Sequence, residues 1–336
     1  MRGPANQSCW KDRRGKMFKR RVFTIFGLTC FSFIAVPLAP AILLLSFFLS
    51  LFKSLRTLPQ AMLLLYFYIS REWSGLVWLS WIWLFHRRKD DYIDRNRVIQ
   101  FWWIQGLFDV AVKLYRLDIT ILGEDAIKGP TAIVLARHTS VADTVLPLLL
   151  FGGARKEGVR YVLKQELQIL PCIDIAGNRL PNAFVDRSGT DSAGAIKQVS
   201  DLLIGCGETE SMLIYPEGTR SSVKKRQQLA TSKPNLRDQL DRWYNLLPPR
   251  LGGISALAMV NPGKDLVFLA HVGFEGSASI LDLINGSWLQ QKVLLKFWRI
   301  PYEKVPKHDF ENFLFGEWDE MNRTVDELTE QLSTEG

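Results

Sequence analysis

Hydrophobic and polar positions divide the chain at about residue 115. Before it, apolar residues come in long blocks. Residues 22–52 hold no charged side chain, and as one helix they would run roughly 46 Å, beyond the ~30 Å hydrocarbon core of a bilayer. Pro37 and Pro40 lie in the middle, which predicts a kinked span or a turn. Residues 57–85 form a second apolar block, broken by Arg71 and Glu72. Neighbours in sequence point to different sides of a helix and cannot pair across one face. Both charges at mid-membrane would be costly, so this block predicts a re-entrant or interfacial segment. The stretch over 97–110 predicts an interfacial helix.

After residue 115 the apolar runs shorten and alternate with helical patterns. "LDITILG", "TAIVLA", "VRYVL", "AFVD", "SMLIY", "DLVFLAHV" and "VLLKFW" read as strands. A helix is predicted from Ser140, kinked or ended by Pro147, and another over 190–205 with Ile196, Val199, Leu202 and Leu203 on one face. Phe310, Phe313, Leu314, Trp318, Met321, Val325, Leu328 and Leu332 form a stripe that predicts a C-terminal helix packed on the domain. Residues 219–250 read as the longest irregular piece. The alternation predicts an α/β fold with a mixed, largely parallel sheet flanked by helices. An N-terminal membrane-embedded helical hairpin precedes it. The organisation expected is a basic segment over 1–21, the hairpin over 22–92 and a folded domain over 93–336.

Charge sharpens the front end. The net charge is +8, with eight Lys and Arg in the first 21 residues and Arg87, Arg88 and Lys89 after the second block. Basic flanks on both sides place both ends of the hairpin, and the folded domain, on the cytoplasmic side. Six of the eleven tryptophans fall between Trp73 and Trp103, as in a belt at headgroup level. The partner expected is therefore the lipid bilayer. Nucleic acid is not expected: the basic clusters flank apolar segments, and no zinc-finger spacing occurs. A cleaved leader is disfavoured because apolar sequence runs straight through "LAPA". Four scattered cysteines and four histidines offer no metal or redox spacing, so neither metal nor cofactor is expected.

The candidate chemistry sits where strands end. In "ARHTSVADTV" His138 is followed five positions later by Asp143. Five residues span 500° on a helix, so the two can meet only if His138 precedes the helix and Asp143 lies in its first turn. Asp143 could be the far end of a capping box begun at Ser140. It could equally present its carboxylate to the imidazole. "YPEGTRSS" leaves Glu217, Gly218, Thr219 and Arg220 at a second strand end. "FVDR" leaves Asp186 and Arg187 at a third, and "LKQEL" leaves Lys164 at a fourth. In open α/β sheets ligands bind at this edge. A histidine, carboxylates and basic groups there make a base beside an anion pocket.

His138 and Asp143, then Phe184–Arg187, then Pro216–Arg220, in this order, resemble the successive motifs of the glycerophospholipid acyltransferase family, nearest to the 1-acylglycerol-3-phosphate acyltransferases. The likeness covers roughly 115–275, and "KPNLRDQLDRWYNLLPPRLGG" resembles the long loop of one branch. Three positions depart from the pattern. Arg137 stands where Asn is usual, Asn182–Ala183 where a glycine is, and His271 where a proline is.

The resemblance implies transfer of a fatty acyl group from a thioester, acyl-coenzyme A or acyl carrier protein, to the free hydroxyl of a lysophospholipid acceptor, first of all lysophosphatidic acid giving phosphatidic acid, with another lysophospholipid or glycerol phosphate as the alternative acceptor. His138 would be the base and Asp143 its orienter. Arg187 and Arg220 would clamp the acceptor phosphate, Glu217 would orient an arginine or the glycerol, and Lys164, Gly218 and Thr219 would line the site. Backbone N–H groups near 138–141, or Lys164, would serve the oxyanion.

Two alternatives differ in class. A serine hydrolase would use "TDSAG" at 190–194 with His271 or His308 as base, and would react with a fluorophosphonate. A non-catalytic anionic-lipid-binding membrane protein would keep its function after His138→Ala.

Overall fold

The computed structural model describes residues 4–140, 142–153, 158–185, 192–275, 279, 281–306 and 308–334. Helix α1 (Pro4–Ala35) turns into α2 (Ala39–Leu49) at the "VPL" break, where Pro37 interrupts the helix. Gly15–Ala35 and Ala39–Leu49 meet at 74° and together pass the length and composition expected of a broken span. Among the described residues no single helix is long and apolar enough to cross a membrane.

Helix α3 (Leu58–His86) is continuous and two-faced. One face buries Ile69, Glu72, Gly75, Leu76, Leu79 and Ile82, while Leu63, Val77, Trp78, Trp81, Trp83, Leu84 and Phe85 are exposed. It runs along α1, with hydrogen bonds from Tyr66 Oη to the Ala35 carbonyl (3.1 Å) and from Trp73 Nε1 to Ser32 Oγ (3.0 Å). The buried face packs on α4 (Tyr92–Tyr115). That helix contains the stretch read as interfacial, and its Trp103, Ala111 and Tyr115 are buried against protein.

The Arg71–Glu72 interruption now has a physical reason. Glu72 points inward and accepts from Trp103 Nε1 (2.9 Å) and the Cys172 N–H (3.0 Å). Arg71 lies over the Trp102 ring, 3.9 Å from its centroid. A buried carboxylate with two donors is tolerated where an isolated one is not.

The sheet has seven strands in the order β1-β7-β6-β2-β5-β3-β4. They are β1 (Asp118–Leu122), β2 (Ala132–Ala136), β3 (Gly158–Lys164), β4 (Ala183–Val185), β5 (Glu210–Ile214), β6 (Asp265–Val272) and β7 (Lys292–Ile300). Strands β6, β2, β5, β3 and β4 are mutually parallel; β7 runs antiparallel to β6, and β1 parallel to β7. The expected mixed, largely parallel sheet is what forms.

Strand β2 is buried throughout, with Ile133 and Leu135 in one core layer and Ala132, Val134 and Ala136 in the other. A strand covered on both faces needs an unbroken apolar run, which "AIVLA" supplies. One layer is closed by α8 (Ser192–Ile204), α11 (Leu251–Val260) and α13 (Phe310–Thr334). The other is closed by α4, by α5 (Glu124–Lys128) and by the turn-and-helix segment holding α6 (Val145–Leu148). The α13 stripe is buried as expected at Leu314, Trp318, Met321, Val325 and Leu328. Each such side chain contributes about 1.5–3 kcal/mol.

Two segments differ from the sequence reading, and a third forms an element where that reading assigns none. Residues 171–179 form a helix, α7, opened by Pro171 at its first position. The piece over 219–250 is largely helical, with α9 (Val223–Ser232) capped by Ser222 and α10 (Arg237–Arg242) after it. Helix α6 opens at Val145 rather than at Ser140, and one residue after Pro147 it gives way to a π turn over Leu149–Gly153.

Candidate active site

Because β6, β2, β5, β3 and β4 are parallel neighbours, their carboxyl ends share one edge. His138, the Glu217–Arg220 turn and Lys164 all emerge there. Asp186 and Arg187 follow β4 but lie outside the described residues, as does Thr190 of the "TDSAG" alternative. Ser192 of that alternative is the first residue of α8.

His138 and Asp143 are both buried, and His138 Nδ1 lies 2.9 Å from Asp143 Oδ1. A carboxylate only accepts, so Nδ1 carries the hydrogen. Asp143 Oδ2 accepts from the Thr139 N–H (2.6 Å) and the Ser140 N–H (2.7 Å). Residues 142–144 form a single 3-10 turn that brings the carboxylate back over the strand end. The two readings of Asp143 are therefore both realised, one on each oxygen. Oδ2 caps the turn and Oδ1 holds the imidazole.

Burial opposes ionisation of Asp143. Hydrogen bonds from His138 and His271 more than offset it and hold the carboxyl well below the usual carboxylate range. The Tyr215 ring packs on the His138 ring at 4.7 Å between centroids.

The turn after β5 is built on Gly218, whose φ of +67° is in the left-handed region that favours glycine. A Cβ there would also come within 2.5 Å of Arg250 Nε, so the turn and the Arg250 side chain are in close approach. The Arg250 N–H donates to the Pro216 carbonyl (2.8 Å), and the Ser221 N–H donates to the His138 carbonyl (2.6 Å). Thr219 and Arg220, half-buried, are thereby held beside the histidine.

Glu217 occupies a place its tetrapeptide did not suggest. It is buried, and its oxygens accept from the His138 N–H (2.8 Å) and the Leu247 N–H (3.0 Å). Burial pushes its carboxyl up to about 7, against the pull of those two donors. Its carboxylate braces two loops against each other. Leu247 in turn accepts from Trp318 Nε1 of α13 (3.0 Å), so the C-terminal helix supports the same brace.

The backbone donors expected for an oxyanion are otherwise engaged. The N–H groups of His138, Thr139 and Ser140 go to Glu217 and Asp143. Val141 lies outside the described residues. Lys164 is half-buried on β3, two strands from β2.

The motifs did not reveal His271, Arg137, Tyr215 or Arg250 as parts of this edge. Their contacts bridge neighbouring strands and loops, and only the departures at Arg137 and His271 carried any signal.

Residues 118–259 match the protein-family model described as Acyltransferase. The fold is similar to the crystal structure of the 1-acyl-sn-glycerophosphate (LPA) acyltransferase, PlsC, from Thermotoga maritima. The TM-score is 0.54 at 19% identity, covering 83% of this chain and 98% of that one. No curated protein sequence matches.

Proposed function

We propose, from the acyltransferase family to which residues 118–259 belong, that this protein acylates the free hydroxyl of a lysophospholipid from a thioester donor. The acceptor we assign is lysophosphatidic acid, giving phosphatidic acid. The observation that carries the reading is the His138–Asp143 pair at the sheet's carboxyl edge.

With Nδ1 committed to Asp143, Nε2 is the ring atom left to take the proton of the attacking hydroxyl. A positioned base of this kind contributes about 10²–10⁴-fold. Asp143 stays ionised and stabilises the imidazolium that forms. The hydroxyl attacks the thioester carbonyl directly, the tetrahedral oxyanion collapses, and the imidazolium returns its proton to the leaving thiolate. Arg220 and the neighbouring Arg250 supply a basic rim for phosphate oxygens, for which the planar guanidinium is suited, and Arg187 is given the same role from its motif alone. Glu217 acts through the brace it makes rather than on the acceptor.

The bent pair α1–α2 and the exposed aromatic face of α3 are the surfaces we assign to the bilayer, with the catalytic domain on the cytoplasmic side. Resistance of residues 93–336 to cytoplasmic-side protease in sealed vesicles would reverse that orientation.

The direct test uses purified full-length protein, a panel of lysolipids, and acyl-coenzyme A or acyl carrier protein in turn. Lysophosphatidic acid should be acylated fastest, and His138→Ala should be inactive while still folded. A neutral lysolipid acylated equally well overturns the acceptor assignment. An active His138→Ala overturns the mechanism.

A further inference from the structure

Two positions that depart from the family pattern, Arg137 and His271, meet in the structure. They sit at parallel neighbours: Arg137 directly follows β2 and His271 lies on β6. His271 is fully buried. Its Nε2 is 3.0 Å from the Arg137 carbonyl oxygen and 3.5 Å from Asp143 Oδ2. Both neighbours are acceptors, so Nε2 carries the hydrogen; its short hydrogen bond goes to the Arg137 carbonyl, and Asp143 Oδ2 is a longer polar contact of the same N–H. Its Nδ1 is buried and has no hydrogen-bond partner among the described residues, which suits a bare lone pair far better than an N–H.

Arg137 answers in kind. Its Nη1 donates to the His271 carbonyl and to Glu275 Oε1 (2.5 Å), and Nη2 donates to the Asn245 carbonyl (3.1 Å). Its guanidinium is buried and these contacts turn it away from any phosphate role. The Asn245 N–H in turn donates to Asn322 Oδ1 of α13 (3.0 Å).

We propose that His271 is a positioning residue for the catalytic pair, a donor to Asp143 held in register by its reciprocal bonds with Arg137. It touches neither substrate nor the proton that moves. Its N–H adds to the Thr139 and Ser140 amides at Asp143 Oδ2, so that Oδ1 stays on His138 Nδ1 while the imidazole gains and loses charge. Such a residue acts on turnover, not on substrate affinity.

This inference rests on the reading of His138 as base, and the experiment separates the two. Steady-state rates are measured on the full chain with oleoyl-coenzyme A and lysophosphatidic acid, alongside thermal midpoints. H271M keeps the volume and removes the donor. It should lower kcat by about ten- to a hundredfold, the effect of losing one hydrogen bond to a charged group, with both KM values within about twofold. H271Q can place an amide N–H near the Nε2 position and should recover most of that loss. In a D143N background H271M should cost nothing further, because its effect passes through Asp143.

A kcat for H271M within twofold of wild type overturns the proposal. So does an equal loss in the D143N background, or an H271Q as slow as H271M. If H271M does not fold, H271N, whose shorter amide cannot span to Asp143, replaces it in the same comparison. An active His138→Ala would instead remove the premise, whatever the His271 variants do.

Discussion

The two edges of the parallel sheet both carry buried charge, and they satisfy it by different means. At the amino edge Glu210 accepts from Arg160 Nε (3.0 Å) and Nη2 (2.6 Å), from Arg97, and from the Gly207 N–H (3.1 Å). Asp265 pairs with Arg299 at 2.8 Å, and Lys264 Nζ donates to Thr131 Oγ1 and the Gly207 carbonyl. Each acid there meets a full cation.

At the carboxyl edge Asp143 and Glu217 are held mainly by backbone N–H groups and by histidine. Amide donors satisfy oxygen lone pairs without cancelling the charge. Asp143 therefore keeps a negative charge, as the proposed role of stabilising an imidazolium requires, while the charge of Glu210 is matched by arginines. Burial alone does not separate the two kinds of carboxylate; the kind of donor around each does.

The sharpest test is Asp143→Asn. The amide can put its oxygen where Oδ2 takes the Thr139 and Ser140 N–H groups, so the cap survives. Its NH₂ then faces His138 Nδ1, which must become an acceptor and force the hydrogen onto Nε2. Activity should fall by about 10³- to 10⁴-fold with little loss of stability, read by turnover and thermal midpoint together. Near-normal turnover would return Asp143 to a cap alone and erase the contrast between the edges.

Arg220→Lys should come next. It keeps the charge but loses the fork. Acceptor binding should weaken by about 1.5–3 kcal/mol, seen as a raised acceptor KM with the donor KM little changed. The opposite pattern would assign this side of the edge to the donor's phosphates.

Glu217 gives a pH signature that sets it against Asp143. A carboxyl raised from its ordinary 4.5 to about 7 in the folded protein contributes stability that is present below pH 4.5. That stability is lost as pH rises through 7, at most about 3 kcal/mol. Asp143, depressed, works the other way: its contribution is present above the ordinary carboxylate range and is lost in acid. Glu217→Gln should flatten the decline of thermal midpoint between pH 5 and 7. An unchanged slope would place the titration elsewhere.

The smallest expected effect on turnover is at the other edge. Glu210→Ala leaves two arginines without their acid and should cost about 2–3 kcal/mol of stability, with kcat unchanged below the transition. A loss of kcat in a still-folded protein would mean that the amino edge also serves the reaction.

How much of this was legible follows from sequence distance. The seven strands announced themselves because each is a short apolar run with turn residues at its ends. His138 and Asp143 could be paired because five residues suffice to close their turn. The His271 bond to Arg137 spans 134 positions, and no local pattern encodes it. Glu217 lay in a recognisable motif, yet its partner amides lie 79 and 30 residues away, so its use as a brace was hidden. Helix α9 was missed because "VKKRQQLATS" carries no apolar stripe and no buried residue. Glu72 looked misplaced in an apolar block until Trp103 and Cys172, 31 and 100 residues on, supplied its donors.

That Glu72 contact bears on how such chains can be recombined. A crossover placed between α3 and α4 would bring Trp103 and Cys172 into a hybrid without their acceptor, unless the donor sequence also had an acid one turn before a glycine like Gly75. It would also part Thr57 from the Leu283 carbonyl, which Thr57 Oγ1 reaches at 2.9 Å. A hybrid joined ahead of residue 57 keeps both contacts. The unit that can travel between relatives is thus the sheet together with α3, and a lineage that exchanges what precedes that helix must still supply cations for the buried Asp174, which Arg20 and Arg21 of α1 meet here at 2.7 and 3.0 Å.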